Sequence, residues 1–405
     1  MIPISRIVHA LEPSATLAMA AKAKELKGSG KKVYDLSVGE PDFITPQHIR
    51  DAAVVAMNAG HTKYTLASGI PELKNAIAAR YNADYGADHG ADHGAVEYGA
   101  GHVVVANGAK HALHNAFFAT LDPGDEVIIP APYWVSYAEL VKLSGAVPVI
   151  VPTEENTGFK MTAAQFRAAI TPKTKMLLLC SPSNPTGTMY SGEELGALAD
   201  IVLEKDLFVV ADEIYGKLVY PGNTFVSFPT LRPGLMDRTI VINGVSKTYA
   251  MTGWRIGWTL APLHLSKKMG ELQSQETSNP CSISQYAALT ALTGDQGCVS
   301  EMLAEFTRRR DFVSERIKSI DGLSCPEMAG AFYAFFNVRK YLGRKLGGVQ
   351  IDTSEQFCLE LLTRKCVATV MGSSFGCEGY VRASFATDMD TLKEAFDKIE
   401  EFLKS

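Results

Sequence analysis

The 405-residue sequence predicts an α/β fold, with a large domain built on a mostly parallel, mixed seven-stranded sheet flanked by helices, and a smaller α+β domain. Seven short runs of aliphatic residues, many of them β-branched, lie between about residues 100 and 262, and longer amphipathic stretches separate many of them. Strands that alternate with helices form βαβ units, whose sheet is mostly parallel and covered on both faces. The length suits two or three domains at about 100–200 residues each.

The seven strand-like runs are HVVVA, DEVIIP, VPVIVP, KMLLLC, LFVVA, TIVING and IGWTLA, in chain order. Between them, HALHNAFFATL and GEELGALADIVLEK have apolar residues at helical spacing, which predicts helices. In a sheet of this kind, ligands bind beyond the carboxyl ends of the strands. The residues that directly follow each run are therefore the first candidates for chemistry.

Beyond residue 290 the pattern changes and predicts a second unit, of the α+β kind. SEMLAEFTRRRDFVSERIKSI is predicted to form a long charged helix, GAFYAFFNV and GYVRASFA two strands, and DTLKEAFDKIEEFLK a final amphipathic helix. No linker rich in glycine or serine separates the units, so we expect the long helix to join them. Residues 45–289 are accordingly assigned to the large cofactor-binding domain, and residues 1–44 and 290–405 to an N-terminal arm and the small domain.

Composition and charge exclude several classes of protein. With 46% hydrophobic and 20% charged residues, the chain is neither disordered, collagenous nor a coiled coil. Its 39 basic residues are scattered and face 44 acidic ones, a net charge of −5, which argues against nucleic acid as the main partner. The apolar runs are too short to span a membrane, and charges interrupt the apolar part of the N-terminal stretch, unlike a signal peptide.

The cysteines and the one low-complexity segment carry no clear site. Seven cysteines lie far apart without a CxxC pair, whereas a disulfide framework or a zinc site needs closer, paired spacing. We predict reduced thiols and no metal in a cytoplasmic protein. The tandem repeat ADHGADHG at 87–94, with His89 and His93, is predicted to be a solvated loop, and metal binding is the alternative.

The turns after HVVVA and DEVIIP hold the first candidates for cofactor binding. After HVVVA, NGAKHAL is a turn of small residues that opens a helix, and backbone N–H groups at such a helix start bind phosphate. After DEVIIP, Trp134 lies just past the strand, at the start of a helix. Its indole could stack on a flat cofactor ring there, or it could pack in the core.

Two polar side chains follow KMLLLC and LFVVA. Asn184 precedes Pro185, which favours an extended conformation, so its amide could reach a cofactor oxygen and a substrate carboxylate or merely cap a turn. Asp212 follows five apolar residues, and a buried carboxylate requires a positive partner, such as a protonated ring nitrogen. Tyr215 would share a helical face with Asp212 if a helix starts here.

The segment after TIVING adds a lysine and a second set of phosphate ligands. Lys247 would be an ordinary surface residue by itself, but it lies at the same sheet edge as Asp212. Ser246 is next to it and Arg255 follows eight residues later. A hydroxyl, an arginine and the NGAK turn could together hold one phosphate dianion.

A lysine, a carboxylate for a ring nitrogen, a stacking aromatic residue and a phosphate-binding turn together indicate pyridoxal phosphate. This cofactor needs a lysine to condense with its aldehyde and an aspartate to keep its pyridine nitrogen protonated. The protonated ring draws electrons from the substrate Cα, and the released lysine amine then moves the proton as a general base.

With these residues in place, the sequence resembles the class I, fold-type I pyridoxal-phosphate aminotransferases, specifically the bacterial-type aspartate/aromatic subgroup. The resemblance runs from PSATLAM at 13–19 to the C-terminal helix. The family's motifs occur in the family's order as SVGEPDF, KYTLASGIPELK, NGAKHAL, PYWVSY, SPSNPTG, ADEIY, SKTYAMTGWRIGW and GYVRASFA.

The resemblance implies a role for each candidate residue toward the cofactor. Lys247 would condense with the aldehyde, Asp212 would pair with the pyridine nitrogen, and Tyr215 and Asn184 would contact the 3′-oxygen. Trp134 would stack on the ring. The phosphate would be held by Ser246, Arg255 and the turn Gly108, Ala109 and Lys110.

The resemblance also implies how substrate and a second subunit take part. Gly39 would offer its backbone to the substrate, beside Trp134 and Asn184, and Arg382 would clamp the α-carboxylate bidentately, which lysine could not reproduce. Tyr64 in this family reaches the phosphate of the neighbouring subunit's site. A homodimer with shared active sites is therefore expected.

The choice of substrate stays open between several amino acids. The resemblance implies that Lys110 attracts the distal carboxylate of aspartate, glutamate or their oxoacids, with 2-oxoglutarate as the typical acceptor. Relatives with the same motifs transaminate tyrosine, phenylalanine or prephenate, and Thr65 also occurs in prephenate-active ones. The segment MGSSFGCEGY departs from the family pattern and borders the substrate pocket, and the 87–94 repeat is an insertion.

Three other functions compete with a transaminase. A Rossmann dehydrogenase requires GxGxxG after its first strand, which NGAKHAL does not match. A non-catalytic sensor on this fold would need a further module, and Lys247 and Asp212 are both present. A β-lyase or a cyclase would use the same cofactor. We favour transamination by a ping-pong mechanism.

Overall fold

A computed structural model describes residues 4–9, 11, 15–86 and 96–405 of the chain. The ADHGADHG repeat at 87–94 lies outside these described residues. Within the described residues, no helix has the length and apolar character needed to cross a membrane. The same part of the chain contains no group of three or more histidine, cysteine, aspartate or glutamate side chains that could hold a metal ion.

Fourteen α-helices are described, numbered here in chain order. They are α1 Arg6–His9, α2 Ala15–Gly28, α3 Gln47–Asn58, α4 Pro71–Tyr85, α5 Ala109–Thr120, α6 Ser136–Leu143, α7 Ala163–Ala169, α8 Gly192–Lys205, α9 Val245–Thr248, α10 Leu263–Glu276, α11 Ser282–Thr293, α12 Gly297–Ser319, α13 Ser354–Lys365 and α14 Met389–Leu403.

Fourteen strands are described in the same way. They are β1 Tyr34–Asp35, β2 Val103–Ala106, β3 Glu126–Ala131, β4 Val147–Pro152, β5 Thr174–Cys180, β6 Phe208–Asp212, β7 Thr239–Gly244, β8 Gly257–Leu260, β9 Tyr333–Asn337, β10 Arg344–Leu346, β11 Val349–Ile351, β12 Val367–Ala368, β13 Val370–Met371 and β14 Tyr380–Ser384.

The predicted seven-stranded sheet is confirmed, and each of the seven predicted runs contributes one strand. The strand order is β2-β8-β7-β6-β5-β3-β4. The pairs among β3 to β7 are parallel, whereas β8 runs antiparallel to both β7 and β2. The carboxyl ends of six strands and the start of β8 therefore lie at one edge of the sheet.

Helices cover both faces of this sheet because side chains alternate along its buried strands. Val127 and Ile129 of β3 pack in one apolar cluster with α5 and α6, while Ile128 between them packs in another cluster with α8. The helix boundaries follow capping chemistry. Ser191 and Glu194 form a capping box at the start of α8, and Asp388 caps α14.

A second apolar core lies in the C-terminal part of the chain. Its antiparallel sheet has the order β13-β14-β9, and α12, α13 and α14 contribute to the same core cluster. The predicted strands GAFYAFFNV and GYVRASFA and the final helix are confirmed, and the long helix α12 begins slightly before its predicted start. Residues 34–37 belong to this region too, since β1 pairs with β12 and Leu36 accepts the Ser384 amide.

The condition under which Tyr215 would share a helical face with Asp212 is not met. No helix follows Asp212, because the chain forms a turn over residues 214–217 instead. The Asp212 carboxylate itself accepts the Ile214 amide, and the Gly216 amide donates to the Glu213 carbonyl. These short-range bonds use the groups that a helix would need, so Tyr215 is placed by a turn.

Candidate active site

One cavity of about 410 Å³ lies at the carboxyl edge of the seven-stranded sheet. Because parallel strands end at the same edge, residues far apart in sequence meet there. Its wall is formed by Val38, Gly39, Glu40, Ala109, Lys110, Trp134, Tyr137, Cys180, Asn184, Asp212, Ile214, Tyr215, Ser246, Lys247, Thr252, Arg255, Tyr333 and Arg382.

Eleven of the thirteen residues predicted from the sequence form part of this wall. The two others are Gly108 and Tyr64. Gly108 directly precedes Ala109 of the wall and is the N-cap of α5. Tyr64 lies outside the cavity and is 89% exposed.

Lys247 lies on the short helix α9, which directly follows β7. Its side chain is partly buried, and its Nζ donates a hydrogen bond to the Gly39 carbonyl. Burial lowers the pKa of the Lys247 amine to about 8, and the nearby Glu40 carboxylate opposes part of that shift. At pH 7 roughly one amine in ten is then unprotonated, against roughly one in 2,500 at the ordinary pKa. Lys247 can therefore act as a nucleophile and as a base near neutral pH.

Asp212 is the last residue of β6 and is only 3% exposed. Its Oδ2 accepts the Tyr137 hydroxyl at 2.6 Å, and its Oδ1 accepts the Ile214 amide at 3.2 Å. Burial raises the pKa of this carboxyl to about 6, although both hydrogen bonds and the Lys247 charge favour its ionised form. No ion pair compensates the Asp212 charge among the residues that the structure describes.

The turn before α5 is built against Arg255. Gly108 has φ +84°, and a Cβ at this position would overlap the Arg255 guanidinium. Arg255 donates from Nη1 to the Thr252 carbonyl at 2.8 Å and from Nη2 to the Asn107 carbonyl at 3.3 Å. Arg255 precedes its strand, but β8 is antiparallel to its neighbours, so the start of β8 reaches the same edge.

Arg382 comes from β14 and is 1% exposed. Its Nη1 donates to Asn184 Oδ1 at 3.0 Å and its Nη2 donates to the Ser37 carbonyl at 2.7 Å. Its Nε is buried without a hydrogen-bond partner, and burial lowers the pKa of the guanidinium. A buried guanidinium in a cavity wall, with no ion pair among the described residues, is suited to an anionic ligand.

Lys110 and Trp134 lie together in the same wall. The Lys110 Nζ lies 5.0 Å from the centre of the Trp134 ring, a cation–π distance. Burial, and the positive charge of Arg255, lower the pKa of Lys110. Trp134 is partly exposed, packs against the edge of a core cluster and forms part of the cavity wall. The two hypotheses for this tryptophan, core packing and a cofactor-facing indole, are thus compatible.

Sequence reasoning missed four polar contributors to this wall. Tyr137 donates to Asp212, and the Tyr333 hydroxyl lies 3.0 Å from that of Tyr215. Thr252 donates to Glu40 Oε2 at 2.8 Å. Tyr137 could have been found from its position three residues after Trp134, one helical turn along PYWVSY. The other three carry no local signal, since their partners are far away in sequence.

The cavity fits pyridoxal phosphate on its own chemistry. Its volume is in the usual range for ligand pockets, about 300–1,000 Å³. Among the described residues Asp212 is a buried carboxylate without a salt-bridge partner, which a protonated ring nitrogen would supply. Lys247 has the lowered pKa that condensation with an aldehyde needs. The Gly108 turn leaves room beside Arg255 that any side chain would fill, as close approach of a phosphate requires.

Comparison with known proteins gives the same result over nearly the whole chain. Residues 31–399 match the family model described as "Aminotransferase class I and II". The aspartate aminotransferase of Geobacillus stearothermophilus is 47% identical over 402 residues, covering 99% of both chains. The aspartate/prephenate aminotransferase of Cereibacter sphaeroides is 44% identical, covering 98% of both.

Solved structures agree with these relatives in fold. The aspartate aminotransferase of Rhizobium meliloti superimposes with a TM-score of 0.94 at 42% identity, covering 100% of this chain and 99% of that one. The Thermus thermophilus enzyme with maleate gives a TM-score of 0.91 at 38% identity, covering 99% and 100%. The predicted family, fold and cofactor are thereby confirmed, and the chain belongs to the class I and II aminotransferases, as a pyridoxal-phosphate-dependent enzyme.

Proposed function

We propose that this aminotransferase moves the amino group of aspartate or glutamate to a 2-oxoacid, typically 2-oxoglutarate, by a ping-pong mechanism. The observation that carries this proposal is the presence of two cations, Lys110 and Arg382, in one cavity wall. Each could neutralise one carboxylate of a dicarboxylic substrate. The relatives support it, because several are named aspartate aminotransferases and the Thermus thermophilus structure contains maleate, a dicarboxylate.

The residues of the wall divide into those for the cofactor ring and those for its phosphate. We assign the pyridine nitrogen to Asp212, the 3′-oxygen to Tyr215 and Asn184, and the ring face to Trp134. We assign the phosphate to Ser246, Arg255 and the turn of residues 108–110. When bound, the cofactor withdraws electrons from the substrate Cα and so makes its proton removable.

Lys247 is proposed to hold and move the substrate proton. Its amine is unprotonated in a useful fraction near pH 8, because burial lowers its pKa. The Gly39 carbonyl accepts from Nζ and so orients the amine within the cavity. An amine that is oriented and partly neutral can accept the proton from the substrate Cα and can later donate it again.

Arg382 is proposed to bind the α-carboxylate, with Gly39 offering its backbone and Asn184 orienting the guanidinium. Residues 1–44 and 290–405 would form the arm and small domain, and residues 45–289 the large domain. Since Arg382 donates to Ser37 and Asn184, its carboxylate ligand would tie the arm, the small domain and the large domain together. Such closure would exclude water from the reacting atoms.

A prephenate or aromatic substrate is the second candidate. It is favoured by relatives named aspartate/prephenate aminotransferase in Cereibacter sphaeroides and Nitrosomonas europaea, at 44% and 45% identity. Prephenate also carries two carboxylates, so the two cations suit it equally. Tyrosine and phenylalanine lack the distal carboxylate and would not use the Lys110 charge.

Replacing Lys110 with methionine should therefore separate these substrates. We expect kcat/KM for aspartate and glutamate to fall about 10- to 100-fold, because the positive partner of the distal carboxylate is lost, and that for tyrosine or phenylalanine to change less than about 3-fold. The measurement follows the cofactor absorbance of the purified enzyme with each donor alone. Prephenate is then offered as the acceptor in the second half-reaction.

Lys268→Met is the matched control, since Lys268 is 67% exposed and lies outside the cavity wall. This substitution should leave kcat/KM unchanged for all donors. An equal loss for dicarboxylic and aromatic donors in Lys110→Met would reduce Lys110 to a phosphate contact and contradict the proposed substrate class. Absence of any donor reaction in the unmodified enzyme would contradict it as well.

We also propose a homodimer with shared active sites. Apolar side chains are exposed along α3 and the segment after it, including Val54, Val55, Tyr64 and Leu66 at 49%, 66%, 89% and 62%. Neighbouring exposed apolar residues of this kind are typical of subunit interfaces. In this arrangement Tyr64 would reach the phosphate site of the second copy.

Val55→Asp should weaken this dimer at least about 10-fold, because a charge would be buried in an apolar interface. Analytical ultracentrifugation should give about twice the chain mass of 43.8 kDa for the unmodified enzyme. Val147→Asp is the matched control, since Val147 is also exposed, at 47%, but lies on the edge strand β4. A fully active monomer would contradict the shared site.

We propose a cytoplasmic location because of the state of the cysteines. All seven are free thiols, and free thiols persist in a reducing compartment.

A further inference from the structure

His111 on α5 accepts a hydrogen bond from the turn that is proposed to bind the phosphate. The Asn107 amide donates to His111 Nδ1 at 3.2 Å, four residues further along the chain. The His111 Nε2 lies 3.4 Å from Glu276 Oε2, at the end of α10. The same carboxylate has its Oε1 2.7 Å from His114 Nε2. Glu276, His111 and Asn107 therefore form one hydrogen-bonded chain.

These hydrogen bonds determine which ring nitrogen of His111 carries the proton. A backbone N–H can only donate, so Nδ1 must carry a lone pair and the ring's proton must be on Nε2. The Nε2–H then donates to the Glu276 carboxylate. His111 is 13% exposed in its side chain, and burial lowers its pKa, which favours the neutral ring. Glu276 and His114 are the titratable groups that contribute to this pKa, with opposite effects.

Asn107 is thereby held on both sides. Its N–H donates a hydrogen bond to His111 Nδ1, and its carbonyl accepts one from Arg255 Nη2. Gly108, the next residue, has φ +84° and leads directly into the first amides of α5. The orientation of those amides depends on the two peptide groups that flank Asn107.

We propose that His111 is a positioning residue, which orients the Asn107–Ala109 turn toward the cofactor phosphate through the hydrogen bond from Asn107 to Nδ1. This inference rests on the binding of pyridoxal phosphate at that turn. Without the acceptor, the part-buried Asn107 N–H would lose its hydrogen-bond partner, and the turn would relax to find another. The effect should concern ligands with a phosphate group and spare those without one.

The test compares His111→Leu with His111→Asn in the full-length apoprotein. The two side chains have the same branched shape, but only asparagine places an acceptor oxygen near the position of Nδ1. Pyridoxamine phosphate and pyridoxamine are titrated separately by fluorescence or calorimetry. We expect His111→Leu to weaken pyridoxamine phosphate binding about 10-fold and pyridoxamine binding less than about 2-fold. His111→Asn should stay within about 3-fold of the unmodified protein for both.

Several results would overturn the proposal. Equal weakening of both ligands in His111→Leu would indicate a general structural role, and no weakening would remove the role altogether. A loss in His111→Asn as large as in His111→Leu would exclude the acceptor. Should His111→Leu fail to fold, the ring-nitrogen resonances of the unmodified protein decide, because a proton on Nδ1 contradicts the proposed hydrogen bond. Loss of phosphate-ligand binding in every variant and in the unmodified protein would instead contradict the cofactor site itself.

Discussion

Replacing Lys247 with alanine is expected to reduce turnover by at least about 10⁴-fold, while the protein still folds and binds the cofactor without a covalent bond. The physical reason is that one amine has two tasks, since it condenses with the aldehyde and then carries the substrate proton. Both tasks need the partly neutral amine that burial provides at a pKa of about 8. The measurement combines steady-state activity with the absorbance of the cofactor in the variant.

The pH dependence gives a second observation on the same lysine. An amine with a lowered pKa loses its proton as the pH rises through that value. The fraction of the neutral, nucleophilic amine therefore increases with pH. The rate at which apoprotein takes up pyridoxal phosphate should rise about 10-fold per pH unit below pH 8 and level off above it. Lys268→Ala should match the unmodified enzyme throughout. Turnover near the normal rate in Lys247→Ala would contradict the assignment.

Replacing Asp212 with asparagine should slow proton removal from the substrate by about 10³-fold. Asparagine keeps the shape of the side chain but cannot hold a proton on the ring nitrogen by charge, so the ring withdraws electrons less strongly. A single-turnover experiment with aspartate deuterated at Cα measures this step directly. A rate within about 3-fold of normal would mean that the ring nitrogen has another partner.

Tyr137→Phe is the graded control for this experiment. It removes one of the two hydrogen bonds to the Asp212 carboxylate and keeps its charge. We expect a loss of less than about 10-fold, well below that of Asp212→Asn.

Asp212 should also affect the stability of the apoprotein. Its pKa is raised by burial to about 6, above the ordinary value of 3.8. The folded state therefore favours the protonated form, and this contribution to stability is complete below pH 3.8 and lost as the pH rises through 6. Asp212→Asn should consequently raise the melting temperature of the apoprotein at pH 7 but not at pH 4.

The sheet could be predicted well because each of its strands is a short apolar run that is recognisable in the local sequence. Runs such as KMLLLC and TIVING are apolar on both faces, which is what burial between two helix layers requires. The small sheets β1-β12 and β10-β11 could not be predicted in this way, since their strands have only two or three residues. Their pairing is decided by contacts across the chain and leaves no periodic pattern.

The candidate site could be predicted where chemistry follows a strand, and not where it depends on a distant partner. Asp212 ends the recognisable strand β6, and Lys247 and Asn184 lie within a few residues of the ends of β7 and β5. Tyr333 lies within the strand β9, where its aromatic ring resembles the other core residues of GAFYAFFNV. Only the position of the Tyr215 hydroxyl, 118 residues earlier, distinguishes it. The turn that places Tyr215 has a local cause instead, because the Asp212 carboxylate accepts the amide of Ile214, two residues further on.

The hydrogen bond from Arg382 to Ser37 has a consequence for how the enzyme is made. It joins residues 345 positions apart, and β1 pairs with β12 over a similar distance along the chain. Closing such a loop costs roughly 3 kcal/mol more in chain entropy than closing one of ten residues. During synthesis, the proposed cofactor ligands up to Arg255 emerge long before Arg382. A nascent chain thus completes its own proposed cofactor ligands before it supplies the guanidinium for the substrate, so the substrate site is the later of the two to form.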